Sequence, residues 1–233
     1  MINFYEQESK TFKIFTFASF FLIIMLNLLL SIYSSKYRVS NIRYVNTQAL
    51  NYGAIEEIID RSIWLIRESD FEKFYNENLN VENLIISKEL PNTVVIDVVV
   101  YEKIINITDL RDTRPKNIIV YKNLYTEEKE IDQNLSKLTI TNGPIPNGFY
   151  SELISFVLTI KKYDISINKL SLVYDGDSLD GQYDETSLKI GLPKDLSKKG
   201  TVLGYILEGE PCLGDIRILD SISDDIETIS NCQ

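Results

Sequence analysis

The chain has 233 residues, with 34 Asp and Glu against 24 Lys and Arg, a formal net charge of −10 and a pI near 4.7, so it repels phosphate backbones and nucleic acid is not an expected partner. It contains no histidine, which removes Ser-His-Asp and Cys-His nucleophilic catalysis and nearly all zinc enzymes. The two cysteines form no CxxC pair and no GxGxxG or Walker sequence occurs, so no metal, cofactor or small-molecule substrate is expected.

Residues 1–13 read as a short tail. Residues 14–33, IFTFASFFLIIMLNLLLSIY, carry no charge and no proline. At 1.5 Å per residue such a helix spans roughly 30 Å, the thickness of a bilayer's hydrocarbon core. A cleaved signal peptide wants a basic start, a shorter apolar run and a small-residue cleavage site. Here the run is longer, Glu6 and Glu8 precede it, and no A-x-A site follows. The expectation is a retained single-pass helix that contacts the lipid bilayer. Basic residues do not fix its orientation: Lys10 and Lys13 lie on one flank, Lys36, Arg38 and Arg43 on the other.

A polar exit at 34–37 leads into a first domain, expected over 38–107. Val39, Ile42, Tyr44 and Val45 predict a strand ending at Asn46. Ile55, Ile58, Ile59 and Ile63 fall on one face of a helix that follows Gly53. Ser69 and Asp70 predict the start of a second helix, with Phe71, Phe74 and Tyr75 spaced for burial. Residues 81–87 and 93–101 read as two strands joined through Leu90-Pro91-Asn92. In the second, Val94, Ile96, Val98 and Val100 belong to the core face and Asp97 to solvent. The order is β-α-α-β-β.

A second, strand-rich mixed α/β domain is expected over 115–232, giving an α+β chain as a whole. Strands are predicted at 117–123 and 137–142, with a turn at Asn142-Gly143-Pro144. Tyr150, Leu153, Ile154, Phe156, Val157 and Ile160 form the apolar face of a helix, and Lys161 and Lys162 suit its C-terminal dipole. Residues 168–175 and 187–193 read as a hairpin around the acidic stretch from Asp175 to Gly181. That stretch misses the calcium-loop pattern: counted from Asp175, Leu179 and Asp180 fall where a ligand and a glycine are needed. It reads as a solvated turn. A short helix at 200–208, a strand at 215–220 and a final segment at 224–230 complete the chain.

The β-α-α-β-β order is that of a POTRA domain. Placed directly after one N-terminal transmembrane helix, it resembles the FtsQ/DivIB family of bacterial cell-division proteins. Val39-Ser40-Asn41-Ile42-Arg43-Tyr44-Val45-Asn46 is similar to that family's post-membrane strand, V-x-x-I-x-V-x-G-N. The stretch from Pro91 through Val94, Ile96 and Val98 to Glu102-Lys103 is similar to its hairpin, P-x-x-L-x-I-x-V-x-E-R-x-P, with two extra residues before the Glu and no proline after it. Leu135 to Gly143 is a loose counterpart of L-P-x-L-x-G, and Asp215-Ile216-Arg217 matches a D-L-R strand near the end.

The resemblance implies a non-enzymatic scaffold in the plasma (inner) membrane at the division septum. Its N-terminus would be cytoplasmic and its bulk extracytoplasmic. It would bind single-pass division proteins of the FtsB/FtsL type through an edge strand following the D-L-R strand. By position that edge is Ile222, Asp224, Ile226, Thr228 and Ser230, and the alternative is a frayed terminal tail. Two other readings stay open: a POTRA protein of an envelope assembly or secretion system, and an anchored carboxylate-dependent enzyme using a pair such as Asp175 and Asp177. A C-terminal hairpin about Ser221-Ile222-Ser223 sets Asp220 opposite Asp224 and Cys212 opposite Cys232. That pairing would permit a disulfide in an oxidising compartment; two unrelated thiols are the alternative.

Overall fold

A computed structural model describes residues 2–46, 50–208, 214–219 and 227–232. The chain is mixed α and β and divides into two compact units, Met1–Val100 and Tyr101–Gln233.

The first unit opens with helix α1 (Ile2–Tyr33). Its stretch Phe12–Tyr33 is long and apolar enough to cross a membrane and none of it is buried in protein. Then come β1 (Asn41–Tyr44), α2 (Gly53–Glu56), 3-10 turns at Ile63–Leu65 and Glu68–Phe71, α3 (Glu72–Glu77), β2 (Val81–Glu89) and β3 (Thr93–Val100). The sheet order is β1-β3-β2, with β1 parallel and β2 antiparallel to β3. Ile55, Ile58, Ile63, Phe71 and Phe74 share one core with Val94, Ile96 and Val98. This is the face that the period of two assigns. Asp97 stays partly exposed and accepts a hydrogen bond from Asn46 Nδ2 at 2.7 Å. On the same outer face Arg43 of β1 pairs with Glu89 of β2.

Two expectations here need correction. The strand beginning near Val39 ends at Tyr44, short of Asn46. The helix after Gly53 stops at Glu56, and Ile59 is 44% exposed instead of buried. The cause is local pairing. Val39 N–H donates to Arg61 O and Asp60 N–H donates to Val39 O, both at 2.9 Å, while Asp60 takes a left-handed φ of 64°. A further helical turn would break both bonds. Ile63 still reaches the core, from the 3-10 turn.

The second unit is a nine-stranded sheet over two helices. Its elements are β4 (Lys103–Asp109), β5 (Lys116–Tyr121), β6 (Thr126–Glu128), β7 (Ser136–Ile140), α4 (Phe149–Lys161), β8 (Leu170–Tyr174), β9 (Leu179–Tyr183), β10 (Thr186–Gly191), α5 (Leu196–Glu208), β11 (Gly214–Leu219) and β12 (Glu227–Cys232). The strand order is β12-β11-β10-β9-β8-β7-β4-β5-β6. The parallel pairs β7/β8 and β10/β11 each need a crossover, and α4 and α5 supply them. Phe149, Leu153, Phe156, Val157 and Ile160 of α4 and Leu196 and Leu203 of α5 pack with Leu138, Leu172, Leu188 and Ile216 of the sheet. The helices approach closely because Gly200 and Gly204 face α4 and its end. A Cβ on Gly200 would lie 3.0 Å from Phe156 O, and one on Gly204 would lie 2.3 Å from the Tyr163 ring.

The division between units falls at Val100/Tyr101, so residues 101–107, expected at the end of the first domain, belong to the second unit, whose sheet opens with Lys103–Asp109. The expected hairpin of 168–175 with 187–193 is a three-stranded meander. The acidic turn joins β8 to β9, and β9 lies between β8 and β10. Within the turn, Asp175 Oδ1 accepts the N–H groups of Asp177 and Ser178 at 3.0 and 2.8 Å.

Candidate partner-binding edge

The site suggested by the sequence lies at the end of the large sheet. In β11, Ile216 and Ile218 are buried while Arg217 and Leu219 point outward. Strand β12 pairs antiparallel with β11: Gly214 opposes Cys232, Ile216 opposes Ser230, Arg217 opposes Ile229, Ile218 opposes Thr228 and Leu219 opposes Glu227. Thr228 and Ser230 therefore stand on the same face as the buried isoleucines, yet both are exposed, because the core ends at β11. Among the described residues β12 has one strand neighbour, so its other edge carries backbone donors and acceptors with no strand beside them.

Of the predicted edge residues, Thr228 and Ser230 fall on this strand; Ile222, Asp224 and Ile226 lie outside the described residues. The hairpin register is a correction. Gly214, not Cys212, lies opposite Cys232, a shift of two residues. The expected pairing would have set Asp220 against Asp224, and like charges directly opposed are destabilising. Cys212 itself lies outside the described residues.

The outer face beside this edge mixes charged, polar and apolar side chains. Cross-strand neighbours run Thr139, Val173, Asp180, Lys189, Arg217 and Ile229 across β7 to β12. Lys189 Nζ donates to Asp180 at 2.9 Å, and this carboxylate pushes the Lys189 pKa up. Arg217 lies next to Lys189 and is exposed.

Two other sheet edges, those of β6 and β2, are better protected. Strand β6 is three residues long and carries Glu127 and Glu128, the first accepting from Tyr121 Oη at 2.7 Å. The outer edge of β2 is partly occupied: Leu84 N–H donates to Tyr75 Oη at 2.9 Å, and Lys88 Nζ reaches over to Ile66 O at 3.0 Å. Short edges, charge and covering side chains all discourage strand addition. Strand β12 is twice as long as β6 and carries a single charged side chain, Glu227.

Sequence reading missed a second kind of residue: buried polar groups that hold loops. Asn106 donates through Nδ2 to Asp132 O at 2.7 Å and accepts the Asp132 N–H at 3.0 Å. Asn78 closes a similar pair with Asn51. Lys199, 2% exposed, donates to the carbonyls of Ile190 and Leu192 at 2.9 and 2.8 Å. No alternation or motif marks such residues in advance. Among the described residues no group of three or more His, Cys, Asp or Glu is placed to hold a metal ion. Comparison with known proteins gave no match, either to a family model or to a curated sequence.

Proposed function

We propose that this chain is a membrane-anchored, non-enzymatic scaffold of the FtsQ/DivIB kind, with a POTRA-like first domain. It gathers FtsB/FtsL-type single-pass proteins at the bacterial division septum. The helix at Phe12–Tyr33 anchors it, the N-terminus lies in the cytoplasm, and both folded units lie outside. The observation that carries this reading is the position of β12: it follows the Asp215-Ile216-Arg217 strand and is the terminal strand of the sheet among the described residues. An edge of this kind binds an extended segment through main-chain hydrogen bonds, with alternate side chains setting specificity. The β-α-α-β-β order directly after an apolar N-terminal helix supports the same assignment.

A proline scan over residues 228–231 tests it, with partner capture from membranes and domain stability read in parallel. In an antiparallel strand, N–H groups alternate between the two neighbours. Proline where the N–H faces β11 should destabilise the hairpin. Proline at the alternate positions should leave the unit folded and still abolish capture of the FtsB/FtsL-type partner. Full capture by every folded proline variant would remove β12 as the docking edge.

A further inference from the structure

The junction between α1 and the first unit carries a second surface. Just beyond Tyr33 the chain makes a 3-10 turn at Ser35–Tyr37. The bonds between Val39 and residues 60 and 61, with the bridge from Arg38 to Ser62, clamp a distant loop to this exit. That loop continues as the 3-10 turn Ile63–Leu65, which comes within 8 Å of α1 between Cα atoms. Ile63 is buried in the first unit's core, while its neighbours turn outward: Trp64 is 44% exposed and Leu65 48%. The Trp64 ring centroid lies 5.6 Å from that of Tyr37, and Lys36 Nζ lies 5.9 Å from the same Tyr37 ring.

If α1 spans a bilayer, it fixes the depth of this cluster. A helix over Phe12–Tyr33 covers roughly 33 Å at 1.5 Å per residue, so Tyr33 stands at the edge of the hydrocarbon. Tyr37 and the ring touching it then fall in the headgroup layer, about 5–7 Å thick on each side of the core. Trp and Tyr are favoured at that level, where an apolar ring meets lipid and its polar tip meets water. Charge agrees with this placement. Although the whole chain is acidic, residues 33–46 contain Lys36, Arg38 and Arg43 and no Asp or Glu. Each basic residue near an anionic membrane surface adds attraction.

We propose that Tyr37, Trp64 and Leu65 form a headgroup-level foot. It seats the first unit against the bilayer, and Lys36 and Arg38 draw it to anionic lipid phosphates. The proposal rests on the reading of α1 as a membrane anchor. It goes beyond that reading, since an anchored unit on a free tether would hold Trp64 in water.

Trp64 is the chain's only tryptophan, so its fluorescence reports on one position. The full chain is reconstituted into vesicles of phosphatidylcholine and phosphatidylglycerol and floated on a density gradient. Emission is then compared with vesicles of the same lipids brominated near the headgroup end of the acyl chains. Tyr37 shields part of the ring with or without lipid, so quenching by lipid bromine decides. The expected result is clear quenching by shallow bromines. It should weaken in Leu65→Ser and in the double variant Lys36→Gln, Arg38→Gln, with circular dichroism unchanged. Protein that floats with the vesicles but shows no bromine quenching overturns the foot and leaves the anchor standing. Protein that does not float overturns the anchor, and the foot with it.

Discussion

Ile96 and Asp97 are neighbours on β3 with opposite environments. Ile96 is fully buried beneath the helices of the first unit, whereas Asp97 is partly exposed and makes one side-chain hydrogen bond. Ile96→Ala should cost about 2–5 kcal/mol, the usual range for a large aliphatic side chain removed from a core. Asp97→Ala should cost no more than about 0.5–1.5 kcal/mol, the net worth of one hydrogen bond. Urea titration of both variants checks the order, and the reverse order would mean that the strand faces the other way. In the second unit, the Asp109 carboxyl is held below the ordinary carboxylate range. The Arg111 guanidinium bonding it at 2.6 and 2.9 Å is the main cause; burial opposes the shift, and the Arg111 backbone N–H reinforces it. At Asp70 burial is the largest influence and acts upward, but the Arg67 N–H and the Arg61 guanidinium outweigh it and leave the pKa lowered. A carboxyl whose folded pKa lies below its unfolded value, about 3.9, binds fewer protons in the folded state. Its stabilisation is complete above that unfolded value and disappears as the pH falls through the folded one. Asp109→Asn should therefore weaken the protein at pH 7 and flatten the loss of stability below about pH 4. Denaturant midpoints between pH 7 and pH 2.5 measure this, and parallel curves for variant and parent would count against it.

Elements with strong periodicity were legible in the sequence, and those that depend on distant partners were not. The alternation Val94, Ile96, Val98 gives β3 its face, and the spacing Leu153, Phe156, Val157, Ile160 gives α4 its stripe, because each pattern is set by one element packing on one core. Strand β9 was invisible: Leu179-Asp180-Gly181-Gln182-Tyr183 has weak β propensity and pairs because β8 and β10 lie on either side of it. A Cβ on Gly181 would come within 2.7 Å of Ser171 O, so the residue that weakens the sequence signal is the one that fits the pairing. Of the candidate edge, only the family resemblance implied a strand after Asp215-Ile216-Arg217, and its register depends on which backbone groups meet across β11 and β12, which no side-chain pattern there fixes. The helix expected at 200–208 begins at Leu196, and α5 turns Lys199 inward onto the end of β10. Lys199→Met keeps most of the stem volume and removes the ammonium from the Ile190 and Leu192 carbonyls. Hydrogen bonds to charged groups are worth about 1.5–3 kcal/mol, so a loss of that size is expected in chemical denaturation, while Lys198→Met on the exposed side should change little.

At the scale of the whole molecule, each unit has a core of its own. The thirteen-residue cluster from Val39 to Val98 lies wholly within the first unit, and the cluster built from α4, α5 and the nine-stranded sheet lies wholly within the second. Among the described residues α1 contributes to neither. A chain starting at Ser34 should therefore fold, since among the described residues α1 supplies no member of either core. Calorimetry on that chain should distinguish the units through paired core substitutions. Ile96→Ala should lower the transition of the first unit and leave the second in place; Leu172→Ala, at a fully buried position of β8, should do the reverse. Each change removes roughly 2–5 kcal/mol from its own unit, enough to move a transition of a domain this size by several degrees. If either substitution shifts a single common transition, the two cores unfold as one cooperative body.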